Sequence, residues 1–318
     1  MLTSLFRRLS PSGPRARLSI LIFHRVLPAP DPFFPDLPDR ARFNEILTWL
    51  KSWFTVLPLD DAARRLAAGS LPERAAAITF DDGYADNVTT ALPLLREHGL
   101  TATFFIATGF LDGGRMWNDT IIEALRRCPQ GAIDLDAFGL GRRVLATPGD
   151  RRTVIDALIG HAKYLASPKR AALSERVAAL AGVEAPTDLM MLSAQVRDLH
   201  RAGMQIGAHT VSHPILTRLT PDDARHEIAD SRNRLEEILG QRVGLFAYPN
   251  GKPGDDYGEE HVALVRDLGF DAAVSTEHGA AVRGSDPMQL PRFTPWDRSR
   301  LRFGVRLAAN LNRSGRPR

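Results

Sequence analysis

Short apolar runs alternate with amphipathic stretches along most of this chain, and that alternation constrains the fold more than any other feature. Runs at 18–23, 75–80, 101–107, 204–208, 243–247 and 272–275 read as buried strands. Between them, apolar residues recur at helical spacing over 42–53, 86–98, 193–202, 221–239 and 259–268. Helix ends are marked as well. His98-Gly99 and Leu268-Gly269 are stop signals, and Thr220-Pro221-Asp222-Asp223 sets a capping threonine before a first-turn proline. Strands that alternate with helices pair in parallel, because each crossover helix packs back onto the sheet. The expected fold is therefore α/β with a parallel sheet, open or closed into a barrel.

From about 113 to 192 the rhythm breaks. Helical patterns at 120–127, 152–166 and 169–181 follow one another with few strand-like runs, which predicts a helical insertion on the main domain. A chain of 318 residues suits either two ordinary domains or one barrel-sized domain, and a single domain over 1–318 is the expectation. The lone Cys128 excludes an internal disulfide and a cysteine-rich zinc site. Arginines cluster at both ends, five within 1–25 and seven within 298–318, with no acid in either stretch. The remainder carries 29 basic against 37 acidic residues, a balance that argues against a nucleic-acid groove. The basic C-terminus, about 298–318, and the N-terminus read as solvated tails, with contact to an anionic membrane surface as the alternative. No apolar run reaches spanning length and the start lacks a leader's long apolar core. The expected location is the cytoplasm, or the inner membrane face through those tails.

The chemistry lies where predicted strands end. Asp81-Asp82-Gly83 follows 75–80, and His209-Thr210-Val211-Ser212-His213 follows 204–208. Ligands gather at the C-terminal edge of strands in α/β folds. Aspartate with two histidines suits a zinc-like ion, and the other carboxylate of the pair is then free to act as a base. Adjacent strand side chains face opposite ways, so both acids serve one site only if the chain turns, which Gly83 permits. An ordinary Asp-Gly turn and two surface histidines are the competing account. A third segment, Ala247-Tyr248-Pro249-Asn250-Gly251, ends a strand in a turn able to present a backbone N–H to a reaction centre.

Thr79-Phe80-Asp81-Asp82-Gly83 and His209-Thr-Val-Ser-His213 resemble the first two motifs of the polysaccharide deacetylases of the NodB-homology type, the carbohydrate esterase family 4 group. The resemblance runs from about 18 to 292. It implies a distorted (β/α) barrel of about seven strands and metal-dependent hydrolysis of acetamido groups on sugars, C–N bonds other than peptide bonds. It also implies that Asp82, His209 and His213 hold a divalent ion, zinc first. Asp81 would be general base toward a water at that ion, and backbone donors after Tyr248-Pro249 would hold the oxyanion.

Two departures from the family pattern stand out. Its Arg-x-Pro-Tyr segment aligns on Ala247-Tyr248-Pro249-Asn250, so the arginine that orients the base is missing there. Its late Leu-x-His segment falls at Gln289-Leu290-Pro291-Arg292-Phe293, without a histidine. Phe23-His24-Arg25-Val26 resembles a branch that supplies a histidine from the first strand, so His24 is the candidate general acid and His278 the second. Trp117-Asn118-Asp119 reads as a helix start capped by Asn118 or Asp119, or as a sugar-stacking wall. His98, His161, His200, His226 and His261 read as surface residues on helices. The expected substrate is an N-acetylated unit of a polysaccharide or of an envelope or exopolysaccharide precursor. The alternatives are a small non-peptide amide, or a carbohydrate-binding relic without activity.

Overall fold

A computed structural model describes residues 2–165 and 167–313. Seven parallel strands form its centre: β1 Arg17–Phe23, β2 Ala75–Phe80, β3 Thr103–Ile106, β4 Gln205–Ala208, β5 Leu245–Ala247, β6 Ala272–His278 and β7 Leu290–Arg292. Each pairs with the next in chain order. Phe293, just past β7, closes the ring: its N–H donates to Ile20 O at 2.7 Å and its carbonyl accepts from Ile22 N–H at 3.1 Å. The result is the expected barrel. Two short strands flank it, Thr55–Val56 beside the start of β2 and Ala281–Val282 antiparallel to the start of β1.

Strand periodicity sorts the core into two layers. Leu18 and Ile20, Ala75 and Ala77, Phe105, Leu245 and Ala247, Ala272 and Val274, and Leu290 pack together inside the ring, with the helix Leu59–Ala68 beneath them. Their neighbours Leu21, Phe23, Ala76, Ile78, Phe80, Phe104, Ile206, Phe246 and Ala273 pack outward against the helical layer. Strands buried on both faces explain why the apolar runs were nearly continuous rather than alternating.

The region from 113 to 192 holds three helices, Trp117–Arg127, Pro148–Ala162 and Ser167–Ala181, and an antiparallel pair, Ala132–Asp134 with Arg142–Val144. They enclose a separate apolar cluster that includes Ile121, Leu125, Ile155, Leu158 and Val177.

The arginine-rich ends are not solvated tails. Leu2–Leu9 and Arg300–Asn312 are helices. Phe6, Phe303, Leu307 and Leu311 are fully buried, and Phe6 and Phe303 pack on the ring of Trp53. Counting arginines hid an apolar spacing of four, 303, 307, 311, that marks a packed helical face. Residues 314–318 of the expected tail lie outside the described residues. Among those described, no helix is long and apolar enough to cross a membrane.

Candidate metal centre and active-site cleft

Asp81 continues the inward side of β2 after Ala75, Ala77 and Thr79, so its carboxylate enters the top of the barrel. Asp82 ought then to face outward. It does not, because its backbone adopts φ 76° and Gly83 follows at φ 93°, a sharp turn that swings the second carboxylate onto the same rim. The turn is held by Asp81 N–H to Phe23 O at 2.9 Å and by Ala107 N–H to Asp82 O at 3.1 Å.

Thr210 (φ 65°) and His213 (φ 51°) coil the other motif back on itself. Glu227, from the helix Pro221–Leu239, fixes that loop: one carboxylate oxygen accepts from Val211 and Ser212 N–H at 2.8 Å, the other from Ser212 Oγ at 2.6 Å. Gly109 lets the neighbouring loop approach, its N–H donating to Val211 O at 2.9 Å where a Cβ would sit 2.8 Å from that oxygen. Of the six described non-glycine residues with positive φ, four lie at this rim: Asp82, Thr210, His213 and Asn250. Strain of that kind persists only where surrounding contacts over-determine it.

The two motifs converge. Nε2 of His209 and Nε2 of His213 each lie 3.5 Å from Asp82 Oδ1, and the ligand atoms of the three residues fall within 4.8 Å of one another. Asp82 Oδ1 is buried and has no hydrogen-bond partner among the described residues. His209 Nδ1 lies 2.7 Å from Ala247 O, which makes Nδ1 the protonated nitrogen and leaves the Nε2 lone pair aimed at the cluster. An orphaned carboxylate oxygen facing two imidazole Nε2 atoms fits a divalent cation, and the N,N,O set suits zinc. Burial opposes ionisation of Asp82, but the imidazoles around it, His209 first and then His24 and His213, hold it well below the usual carboxylate range. Burial, and then the neighbouring His209, lowers His213 to about 4, although Asp82 opposes the shift.

Asp81 is held differently. Arg292, the last residue of β7 and 1% exposed, grips it with two parallel bonds, Nη1 to Oδ1 and Nη2 to Oδ2, both 2.7 Å. The same guanidinium donates from Nε to Ser275 O at 2.8 Å and from Nη1 to Thr79 Oγ1 at 3.2 Å. Burial would raise Asp81, but the charge of Arg292, followed by that of His209, brings it below the ordinary carboxylate range. The sequence reading that left this carboxylate without an orienting arginine is corrected. The arginine arrives from the strand where a histidine was sought, a strand too short to leave a period in the sequence.

The third segment is placed otherwise than expected. Tyr248 follows inward-facing Ala247, so its ring points outward, stacking on Tyr257 at 3.8 Å between centroids. Its N–H donates to Val274 O at 3.2 Å, and Pro249 has no N–H to give. Neither side chain lines the cleft. Asn250 does, at φ 57°, and its N–H makes no hydrogen bond among the described residues.

A cleft of about 330 Å³ opens over the cluster, within the size range of ligand sites. His24, Asp81, Asp82, His209, His213, Asn250 and Thr276 form its floor. The insertion forms a wall, with Met116, Trp117, Asn118, Ile159, Lys163 and Arg170. His24 is exposed there, its carbonyl accepting from Asn87 Nδ2 at 2.9 Å. His278 is exposed outside the cleft. Neither Asn118 nor Asp119 caps its helix: Met116 occupies the cap position, and Asp119 is buried against Tyr84 Oη at 3.3 Å. His261 is buried too, its Nδ1 accepting from Gly258 N–H at 3.0 Å.

The sequence profile described as polysaccharide deacetylase matches residues 68–138 and 152–273. YxkH of Bacillus subtilis (strain 168), which bears a polysaccharide deacetylase's name, is 24% identical over 279 residues, 87% of this chain and 71% of that protein. Among solved structures, Streptococcus pyogenes deacetylase PplD in complex with acetate superposes with a TM-score of 0.61 at 19% identity, covering 95% of this chain and 99% of that one. IcaB from Ammonifex degensii gives 0.59 at 19% identity over 95% and 98% of the two chains. At such identities the structural likeness speaks for the fold, and the profile, which spans more than half of the sequence, speaks for the family. The chain belongs to the polysaccharide deacetylase family.

Proposed function

We propose that this protein removes N-acetyl groups from sugar units of a polysaccharide or of its precursor, with a divalent metal, zinc first, held by Asp82, His209 and His213. The observation that carries the reading is the buried, unpartnered Asp82 Oδ1 set between two imidazole Nε2 atoms, with an ionised carboxylate beside it. When bound, the ion supplies Lewis-acid polarisation of the acetyl carbonyl and makes a water acidic enough to react near neutral pH.

The remaining work falls to the chain's own groups. Asp81 stays ionised because Arg292 outweighs its burial, and the bidentate grip leaves a lone pair on each oxygen to accept the water's proton. Asn250 N–H, free of other partners at the cleft floor, is the donor for the developing oxyanion. Asn250 is the first residue after Tyr248-Pro249, where the resemblance put that donor, and neither Tyr248 nor Pro249 itself takes part. His24, exposed in the same cleft, delivers a proton to the leaving amine. Trp117 offers an aromatic face to a pyranose ring.

The test is acetate release from chitooligosaccharides and from small acetamides, before chelation, after chelation, and after zinc is restored. Release from the sugars that vanishes with chelation and returns with zinc supports the reading. Metal-independent release, or release from small amides alone, would overturn it.

A further inference from the structure

Arg170 sits in the cleft wall only 5% exposed, yet its guanidinium has no ion pair and no hydrogen-bond acceptor among the described residues. Its contact is with the face of Trp117, 5.0 Å from guanidinium carbon to ring centroid. Glu227 acts on it only from beyond ion-pair range, and that carboxylate is committed to Val211 and Ser212. A guanidinium so largely buried, facing a cleft without a counter-charge, is a place for a partner that arrives with a ligand. Lys163 lines the same cleft, half-buried and without an ion pair among the described residues. The acids on the floor do not serve these cations: Asp81 is gripped by Arg292, and Asp82 faces the histidines.

Resting on the deacetylase reading, we infer that the N-acetylated sugar unit carries an anionic group, carboxylate or phosphate, and that Arg170, stacked on Trp117, binds it together with Lys163. A guanidinium matches both anions with paired N–H donors, and its planar face stays free to stack on the indole. A purely structural arginine packed on Trp117 is the competing account, and it predicts no preference for charge.

The experiment compares neutral N-acetylglucosamine oligomers with oligomers bearing a sugar carboxylate and with others bearing a phosphate ester. Binding to the zinc-loaded full chain is measured by calorimetry, and acetate release is followed in parallel. The acidic oligomers should bind about 10- to 100-fold more tightly than the neutral ones. Arg170→Gln should erase that ratio and Arg170→Lys should restore part of it. Whichever acidic arm shows the preference identifies the anion. Equal binding of neutral and acidic oligomers by the unaltered protein overturns the inference without need of any variant. A preference that survives in folded Arg170→Gln does the same. A charge preference with no acetate release from any oligomer would sink the deacetylase reading and keep the anion site, whereas release without preference does the reverse.

The terminal helices support a second inference on separate grounds. Of the seven large apolar side chains exposed on the described surface, four belong to the terminal segments: Leu5, Trp296, Leu301 and Val305. Leu301, Val305 and Ala309 lie four residues apart, an exposed apolar stripe opposite the buried Phe303–Leu307–Leu311 face. Arg8, Arg300 and Arg302 are exposed on the same two helices, neither of which holds an acid, while Arg7 beside them pairs with Glu73. Exposed apolar side chains on helices that carry arginine and no acid complement an anionic interface. We propose that this face rests on an anionic phospholipid surface.

Co-sedimentation of the full chain with phosphatidylglycerol-containing vesicles, and with phosphatidylcholine alone, tests it. Binding should require the anionic lipid, fall about tenfold or more as salt rises, and fall again in Leu301→Ser/Val305→Ser. No binding at low salt, or equal binding to neutral vesicles, overturns it. Concentration-dependent dimers abolished by the same double change, without vesicle binding, would hand the face to a second copy.

Discussion

The barrel rim and the insertion wall meet at one cleft but are built in opposite ways. The rim concentrates backbone strain: Asp82, Thr210, His213 and Asn250 all sit at positive φ, while no described non-glycine residue from 113 to 192 does. Its charged groups are locked, Asp81 by Arg292 and the histidine loop by Glu227. The wall is an unstrained helical bundle with its own apolar cluster, and it offers the cleft an unpaired cation and an aromatic face. Fixed geometry at the rim suits bond cleavage, which tolerates little misplacement. Adaptable side chains on a separate core suit the choice of substrate.

Asp81→Asn is the sharpest way to break that division. It should leave substrate binding near normal, lower stability by depriving buried Arg292 of its counter-charge, and lower turnover of the folded protein about 10²- to 10⁴-fold in an acetate-release assay. Near-normal turnover would take catalysis away from the rim. His24→Ala should cut turnover by about 10²-fold with little change in metal content, whereas His278→Ala, outside the cleft, should do almost nothing. If the two swapped behaviour, the proton donor would be His278.

Arg292→Gln tests the locked state of the rim. Removing one partner of a buried pair costs about 3–5 kcal/mol of stability, read by denaturant unfolding. The pH effect has a definite sign. Asp81 is held low in the folded protein, so its contribution to stability is complete above the ordinary carboxylate value and is lost as pH falls through the lowered one. Without Arg292, only the neighbouring histidines oppose burial and the carboxylate rises. The acidic limb of the rate profile should therefore move to higher pH, and an unmoved limb would deny the arginine its role.

Leu158→Ala probes the wall. Fully buried in the insertion's cluster, it should cost about 2–5 kcal/mol. The loss should appear as faster amide exchange within 113–192, with barrel amides and metal content unaltered. Loss spread evenly over both regions would mean that they fold as one unit.

Legibility in the sequence follows the same divide. Six of the seven barrel strands, and both chemical motifs at their ends, were readable, because strands buried on two faces leave apolar runs and the turn residues follow them directly. β7 was not: Leu290-Pro291-Arg292 is three residues long and includes a proline, with no period to detect. Arg292 was missed with it. Tyr248 was assigned to the site from its neighbours, although alternation from Ala247 sends its ring outward. The terminal helices were obscured by their arginines. Arg170 lies on a helix remote in sequence from the motifs, and only tertiary contact brings it to the cleft, while the brace that Glu227 supplies from the helix after the histidine motif has no local signature.

The central claim is that neighbouring carboxylates divide the labour, Asp82 holding the ion and Asp81 handling the proton. Metal content of purified Asp82→Ala and Asp81→Asn, after dialysis against chelator and reloading with zinc, tests it most directly. Asp81→Asn should retain one ion per chain and Asp82→Ala should retain almost none. Full occupancy in Asp82→Ala, or an empty site in Asp81→Asn, would contradict the assignment.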